Sequence, residues 1–403
     1  MNSVVSLVTS LNNGLLTRLR DSAALLDAQN RAPVGSLDSV LTTVDVNKLF
    51  NALRGWPLDH RRRAVEVLLR ERAPELSAQA LAEVISALHT GPTPRYAQEA
   101  IVDLLTSRTG TAFQELKYRL NNTGDQHDLE HLVFTDLQED LQERLLEHIA
   151  EEAAYEGSSD LRVLCDIDDT LKSAIHDRRY PRGVIYPGVI TLLTQLDEGA
   201  AAEPGRPGDL TFVTARPGGP RGLVEQYTRG ALGGLGLPPH AVLGGSFLNL
   251  HTKAVIAERK LQNMDRDRLL FPECRMVFVG DSGQADGAVG AEMHQRDPGH
   301  IVGTLLHNVT DLDEAGRERW AQQGGHVFDT YAGAAAHAAR LGLLRPDQAR
   351  LVADDVRVGL NLLHLSREQR DRVEQDYAAD LALVEALERE AAQPRPAGVT
   401  APG

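Results

Sequence analysis

The stretch Leu161-Arg162-Val163-Leu164-Cys165-Asp166-Ile167-Asp168-Asp169-Thr170 decides how the chain is read. Its first half is a short apolar run with the composition of a buried strand. Its second half is a group of carboxylates that begins where the run stops. Two further runs share this form. LTFVT leads into Thr214-Ala215-Arg216, and RMVFV leads into Gly280-Asp281-Ser282-Gly283-Gln284-Ala285-Asp286. Helical patterns lie between them, including VITLLTQL and AVIAERKLQNM. Strands alternating with helices predict a doubly wound α/β domain built on a parallel sheet. Ligands bind such sheets at the carboxyl ends of the strands. The polar residues after these three runs are therefore where chemistry is to be sought. HIVGTLL and HVFDTY are candidates for further strands.

Outward from this centre the pattern changes. Residues 1–155 read as a helical region, with apolar residues at helical spacing in RRRAVEVLLRERAPELSAQALAEVISALH and DLQEDLQERLLEHIAEEAA. The α/β domain is expected over 159–345. Helices follow over 346–392, and 393–403 reads as a disordered tail.

The 403 residues allow two or three domains, and 42% apolar content allows a sizeable core. Aromatic residues make up 4% of the chain and its formal net charge is -15. Stacking platforms and a basic footprint are both lacking at the level of the whole chain, so no nucleic-acid partner is expected. Cys165 and Cys274 form no Cys-x-x-Cys pair, which suits a reducing cytoplasm. The amino-terminal MNSVVSLVTSLNNGLL lacks the basic start of a signal peptide and reads as an amphipathic helix. No run is long enough to cross a bilayer. A soluble, cytoplasmic protein is the expectation.

Side chains alternate along a strand, so Asp166 and Asp168 project to one side while Ile167 faces the other. Two neighbouring carboxylates repel unless a cation or a shared proton relieves them. Phosphoryl transfer uses such a pair: one carboxylate attacks phosphorus and the other protonates the leaving oxygen. Asp281 and Asp286 bring two more carboxylates to the same sheet edge. Several aspartates without a nearby His or Cys favour a hard cation, and magnesium is the usual one. Thr214 offers a hydroxyl and a backbone N–H to a phosphoryl oxygen. Lys253 and Lys260 are both positioned to offset the remaining charge; seven apart, they share nearly one helix face.

Together these segments resemble the four motifs of the haloacid dehalogenase (HAD) superfamily, in order and in spacing. More narrowly, residues 160–345 are similar to the catalytic domain of the App1-type phosphatidate phosphatases. The runs that carry the similarity are CDIDDTLKS, IYPGVITLLTQL, LTFVTARP, AERKLQN, LFPE and FVGDSGQAD. The match departs at Gly287-Ala288-Val289-Gly290, where a Pro-Glu-x-Tyr-like stretch is common.

The resemblance implies Asp166 as nucleophile and Asp168 as general acid and base. It implies a magnesium ion held by Asp166, Asp281 and the Asp168 carbonyl, with Asp286 supporting the metal or its waters. It places Thr214 and a lysine on the phosphoryl group. AERKLQN points to Lys260, whereas the nearness of a helix start to the active edge points to Lys253. The insertion after the first motif is short, so a small cap and an open site are expected. A phosphatidate-like lipid is the implied substrate, reached by peripheral membrane contact. Two other readings are a HAD phosphatase for a soluble phosphomonoester or phosphoprotein, and a helical scaffold whose HAD domain only binds ligand.

Four patterns invite other readings. Gly280-Asp281-Ser282-Gly283 matches part of a trypsin-like motif, but the helix-rich chain does not fit a two-barrel β fold. His127-Asp128-Leu129-Glu130-His131 matches an inverted zinc-peptidase pattern; a helix start with surface histidines is the plainer reading. The loop Asp177–Arg182 offers arginines to an anionic head group, or is a solvated turn. GALGGLGL follows no strand and reads as a helix end and turn.

Overall fold

The computed structural model describes residues 27, 29–53, 60–122, 128–155, 160–202, 209–217, 232, 234–245, 253–283 and 285–393. At 52, 155, 214–217, 244, 245 and 253 only the main chain is described. The chain divides into two compact units, Met1–Gly157 with Leu269–Pro272, and the remainder.

The first unit is helical in its described residues. Its helices are Ser36–Leu41, Val46–Ala52, His60–Glu66, Ala78–Leu88, Arg95–Thr106, Gly110–Asn121 and Glu139–Tyr155. Wide π turns occupy Val67–Glu71 and Leu132–Asp136. Ala78–Leu88 shows why these segments are helical. Ser77 caps its start by accepting from the Ala80 N–H at 3.2 Å. Leu81, Val84, Ile85 and Leu88 then form one fully buried stripe at helical spacing.

The second unit carries a six-stranded sheet in which every pairing is parallel. Its strands are β1 (Leu161–Cys165), β2 (Leu210–Pro217), β3 (His240–Gly245), β4 (Arg275–Asp281), β5 (Ile301–His307) and β6 (Gly325–Phe328). Their order across the sheet is β3-β2-β1-β4-β5-β6. This is the doubly wound, Rossmann-like arrangement, and the strand order reverses between β1 and β4.

Helices cover both faces. They are α1 (Val189–Glu198), α2 (Lys253–Leu270), α3 (Asp286–Arg296), α4 (Glu314–Ala321), α5 (Tyr331–Arg340), α6 (Pro346–Leu362) and α7 (Arg367–Ala392). Alternation along β1 splits the core in two. Val163 and Cys165 pack with α1, α5, α6 and α7, whereas Leu164 packs with α2 and α3. The carboxyl-terminal helices, set apart in the sequence reading, thus bury Val352, Val356, Val373, Tyr377 and Val384 in the same core as the sheet. Gly188 precedes α1 at φ +81°, and a Cβ there would lie 2.4 Å from Val356. Both its conformation and its closeness to α6 call for glycine.

Arg162 and Lys260 show how α2 is oriented. Arg162 is fully buried and donates to Asp267 on α2 at 2.7 and 3.2 Å, and to Thr211 near the start of β2 at 2.7 Å. Asp267 therefore sits towards the amino edge of the sheet. Lys260, seven residues earlier on the same helix face, lies towards the carboxyl edge, so α2 runs antiparallel to the strands. Among the described residues no helix is long and apolar enough to cross a membrane.

Candidate active site

The carboxyl ends of β1 and β4 meet where the strand order reverses. The ladder continues past β1, since the Asp166 N–H donates to the Val279 carbonyl at 2.9 Å. Asp166 and Asp281 therefore end neighbouring strands, and Asp286 opens α3 directly after β4. Acidic oxygens of Asp166, Asp281 and Asp286 all lie within 4.8 Å of one another. All three residues are buried.

Lys260 sits among them. Its ammonium donates to Asp166 Oδ1 at 2.6 Å and to Asp286 Oδ1 at 2.5 Å. A long side chain on a helix points back towards the helix start. Because α2 runs antiparallel to the strands, that direction carries the Lys260 ammonium to the carboxyl edge from two turns inside the helix. Burial opposes the charge on Lys260, but Asp166 and Asp286 outweigh it and raise its pKa, so the ammonium persists. Burial pushes the Asp166 carboxyl up, against the pull of the Lys260 ammonium and with a further push from Asp286.

Each oxygen of Asp286 has a partner. Oδ1 takes Lys260 and Oδ2 accepts the Asp281 N–H at 3.2 Å. Asp281 Oδ1 accepts the Gly283 N–H at 2.6 Å. Asp166 Oδ2, by contrast, is buried without a hydrogen-bond partner. A buried carboxylate oxygen of this kind is costly unless a cation or a reacting group meets it. Among the described residues the donor set is oxygen only, and three carboxylates gather where Lys260 meets Asp166 and Asp286. Both features fit magnesium, which Asp166 and Asp281 would hold with Asp286 behind them.

The chain after Asp166 is held in an unusual shape. Asp169 has φ +60°, a left-handed conformation that costs energy outside glycine. Its buried carboxylate accepts the N–H groups of Ala174, Ile175 and His176 at 2.7–2.9 Å, and lies 2.9 Å from His176 Nδ1. Burial alone would raise its pKa; these donors outweigh burial and hold it below the usual carboxylate range. Asp169 is thus the knot of the turn, as its local hydrogen-bonding habit leads one to expect. Beyond the turn, Tyr186 N–H donates to the Leu171 carbonyl and Ser173 N–H to that of Val184. A short ribbon of residues 171–173 and 183–186 therefore rises directly from the acidic segment.

Asp168 is half-buried, and its carboxylate lies outside the cluster. Thr214 lies on β2, but its side chain falls outside the described residues, as does that of Lys253 at the first residue of α2. Of the two lysines, Lys260 is the one placed between carboxylates by the described geometry.

A supporting shell was not anticipated from the sequence. His307 ends β5, and its Nδ1 lies 3.0 Å from the Asp169 carbonyl. That carbonyl can only accept, so Nδ1 carries the proton and Nε2 accepts from Arg179 at 3.1 Å. Burial, with the Arg179 guanidinium beside it, brings the His307 pKa down to about 4 and keeps the ring neutral. Tyr331 donates to the Thr170 carbonyl. Strand-end position was the available signal for His307, because HIVGTLL was already a candidate strand.

Arg179 corrects one expectation. It donates to Asp177, Asp376, the Asn308 carbonyl and the Asp329 carbonyl, all within 3.1 Å. It is a half-buried structural hub of the 177–182 loop, not a group held out for a head group. Arg178 and Arg182 are exposed.

No family model matches the chain, and no curated protein or solved structure is significantly similar to it.

Proposed function

We propose that the second unit is a magnesium-dependent phosphomonoester hydrolase of the HAD type, working through an aspartyl phosphate on Asp166. The observation that carries this reading is the environment of Asp166. It is a buried carboxylate at the strand-order reversal, held at Oδ1 by Lys260 and presenting Oδ2 without a partner.

In this reading Asp166 Oδ2 attacks phosphorus and the bond from phosphorus to the ester oxygen breaks. Asp168 gives its proton to that leaving oxygen. Asp168 then takes a proton from water, whose oxygen attacks the same phosphorus, releasing phosphate and restoring the Asp166 carboxylate. Lys260 aligns Asp166 and offsets charge on the phosphoryl group. Bound magnesium would supply Lewis-acid polarisation and charge neutralisation at that edge. Thr214, in the second half of β2 and about level with the segment that follows β1, would offer a phosphoryl oxygen its hydroxyl and N–H. The short ribbon at 171–186 supports a small cap.

A phosphatidate-like lipid is the substrate we favour, on the resemblance of residues 160–345. A panel of dioleoyl phosphatidate, soluble sugar and amino-acid phosphates, phosphopeptides and para-nitrophenyl phosphate tests both levels. Magnesium-dependent turnover of the aryl phosphate is expected, with phosphatidate preferred among natural esters. Calcium should substitute poorly, since its looser and higher coordination disturbs in-line attack. Undiminished turnover after exhaustive EDTA treatment would remove the metal-dependent mechanism, and binding without turnover would favour the scaffold reading.

A further inference from the structure

The first unit gathers a second set of metal-ligating side chains, unrelated to the acidic cluster. His89, His131 and Asp136 place ligand atoms within 4.8 Å of one another. Asp136 Oδ2 lies 3.3 Å from His89 Nδ1 and 3.5 Å from His131 Nδ1. The two imidazoles are stacked, with ring centroids 6.1 Å apart.

Local backbone produces this meeting. His131 and Asp136 are five residues apart, which on an α-helix of 3.6 residues per turn puts them on different faces. Here Leu132–Asp136 is a π turn, closed by the Leu137 N–H on the Leu132 carbonyl at 3.0 Å. Its i→i+5 repeat stacks such a pair on one face. Asp128 caps the turn before it by accepting the His131 N–H at 3.1 Å. His89 arrives from elsewhere, just past the helix Ala78–Leu88, where its N–H donates to the Ile85 carbonyl. A hydroxyl also reaches the group: Thr93 Oγ1 donates to Asp136 Oδ2 at 3.3 Å.

The spacing is informative. Zinc bonds to imidazole nitrogen and carboxylate oxygen are about 2.0–2.1 Å, so neighbouring ligands of a tetrahedral ion stand about 3.3–3.4 Å apart. The two nitrogen-to-oxygen separations, 3.3 and 3.5 Å, lie close to that edge. Hydroxyl support of a ligating carboxylate is also usual around such ions. His89 is fully buried and the His131 side chain is about one-third exposed (34%), so an ion has a route in from one side.

We propose that His89, His131 and Asp136 form a site for a zinc-class divalent ion, with three protein ligands among the described residues. Two imidazoles and one carboxylate select borderline transition ions over magnesium. The site would clasp the end of Ala78–Leu88 to the 129–136 segment. Of the His127-Asp128-Leu129-Glu130-His131 pattern, His131 belongs to this group, and His127 lies outside the described residues.

The test uses the full chain carrying Asp281→Asn, so that the acidic cluster contributes little. After chelator treatment, zinc is titrated by calorimetry and cobalt(II) by visible absorption. One zinc equivalent is expected, unaffected by excess magnesium, with the intense visible bands of four-coordinate cobalt. His131→Ala and Asp136→Asn should each weaken zinc binding at least a hundredfold, and His131→Cys, which keeps a ligand atom, should restore it. Circular dichroism checks that each variant is folded. Equal zinc binding in the His131→Ala chain, or no zinc binding by the folded parent, would overturn the site.

Discussion

Lys260 Nζ lies 2.6 Å from Asp166 Oδ1, joining residues 94 positions apart in the chain. The same ammonium holds Asp286, so one buried cation ties the end of β1 to the start of α3. Removing it leaves two carboxylates facing each other without compensation.

Lys260→Ala is therefore expected to act twice. Stability should fall by about 3–5 kcal/mol, the usual result of removing one partner from a buried ion pair. Turnover should fall on the order of a hundredfold or more, as when other charge-stabilising groups are deleted. Urea unfolding and steady-state kinetics measure the two effects separately. Lys253→Ala should do little to either, and the opposite ranking would reassign the phosphate-binding lysine.

Gly280 tests the shape of the same corner. A Cβ at this position would stand 2.6 Å from Asp286 Cβ and 2.7 Å from its Oδ2. Asp286 would have to move, loosening its hold on Lys260 and on the Asp281 N–H. Gly280→Ala should cost roughly 1–3 kcal/mol, as overpacking does, and should raise the magnesium concentration needed for half-maximal activity. Gly234→Ala is the control, since a Cβ there meets nothing within 4 Å.

A pH effect is expected from Asp380 on α7. Its Oδ2 accepts the Thr330 N–H at 2.6 Å and the Thr330 hydroxyl at 2.9 Å, capping α5 from a distance. Burial pushes its pKa up to about 7, against the pull of the Thr330 N–H. The folded state thus keeps a proton that the unfolded state releases near pH 4. The stabilisation is complete below about pH 4 and is lost as pH rises to about 7. Asp380→Asn keeps an acceptor and cannot ionise. Its stability relative to the parent should improve by about 1 kcal/mol per pH unit across that window and level off above it. A flat difference between pH 4 and 8 would show that Asp380 does not titrate this way.

How far the sequence carried this reading depends on locality. The strands β1, β2 and β4 were legible because each is a short apolar run ending in polar residues. β3 was not, because His240–Gly245 is a short edge strand with two glycines and one β-branched residue. The helical character of α6 and α7 was legible, but not their place. Periodicity shows that Val352, Val356 and Val373 need burial without showing that the sheet unit provides it. Asp169 builds its turn from partners within seven positions. Arg179 was not readable as a hub, because His307 and Asp376 lie 128 and 197 positions away.

Asp166 and Asp168 offer the sharpest separation of roles. In the proposed mechanism Asp166 must be ionised to attack phosphorus. Burial opposes this, Lys260 favours it, and the proposed cation would favour it further. In the same mechanism Asp168 must carry a proton when the leaving oxygen departs, and its half-buried carboxylate lies outside the group formed by Asp166, Asp281 and Asp286. Asp166→Asn keeps the shape but removes the nucleophile, so no covalent intermediate should form. Asp168→Asn should still permit attack when the leaving group is good, as in para-nitrophenyl phosphate, because little protonation is then required. It should suppress turnover of an alkyl phosphate far more severely, and it should slow hydrolysis of the aspartyl phosphate, since no base remains to activate water. Trapping with beryllofluoride or radiolabelled substrate, alongside rates on aryl and alkyl esters, reads all of these. Covalent labelling of the Asp166→Asn chain, or equal loss of aryl and alkyl turnover in both variants, would show that the two carboxylates do not divide the work in this way.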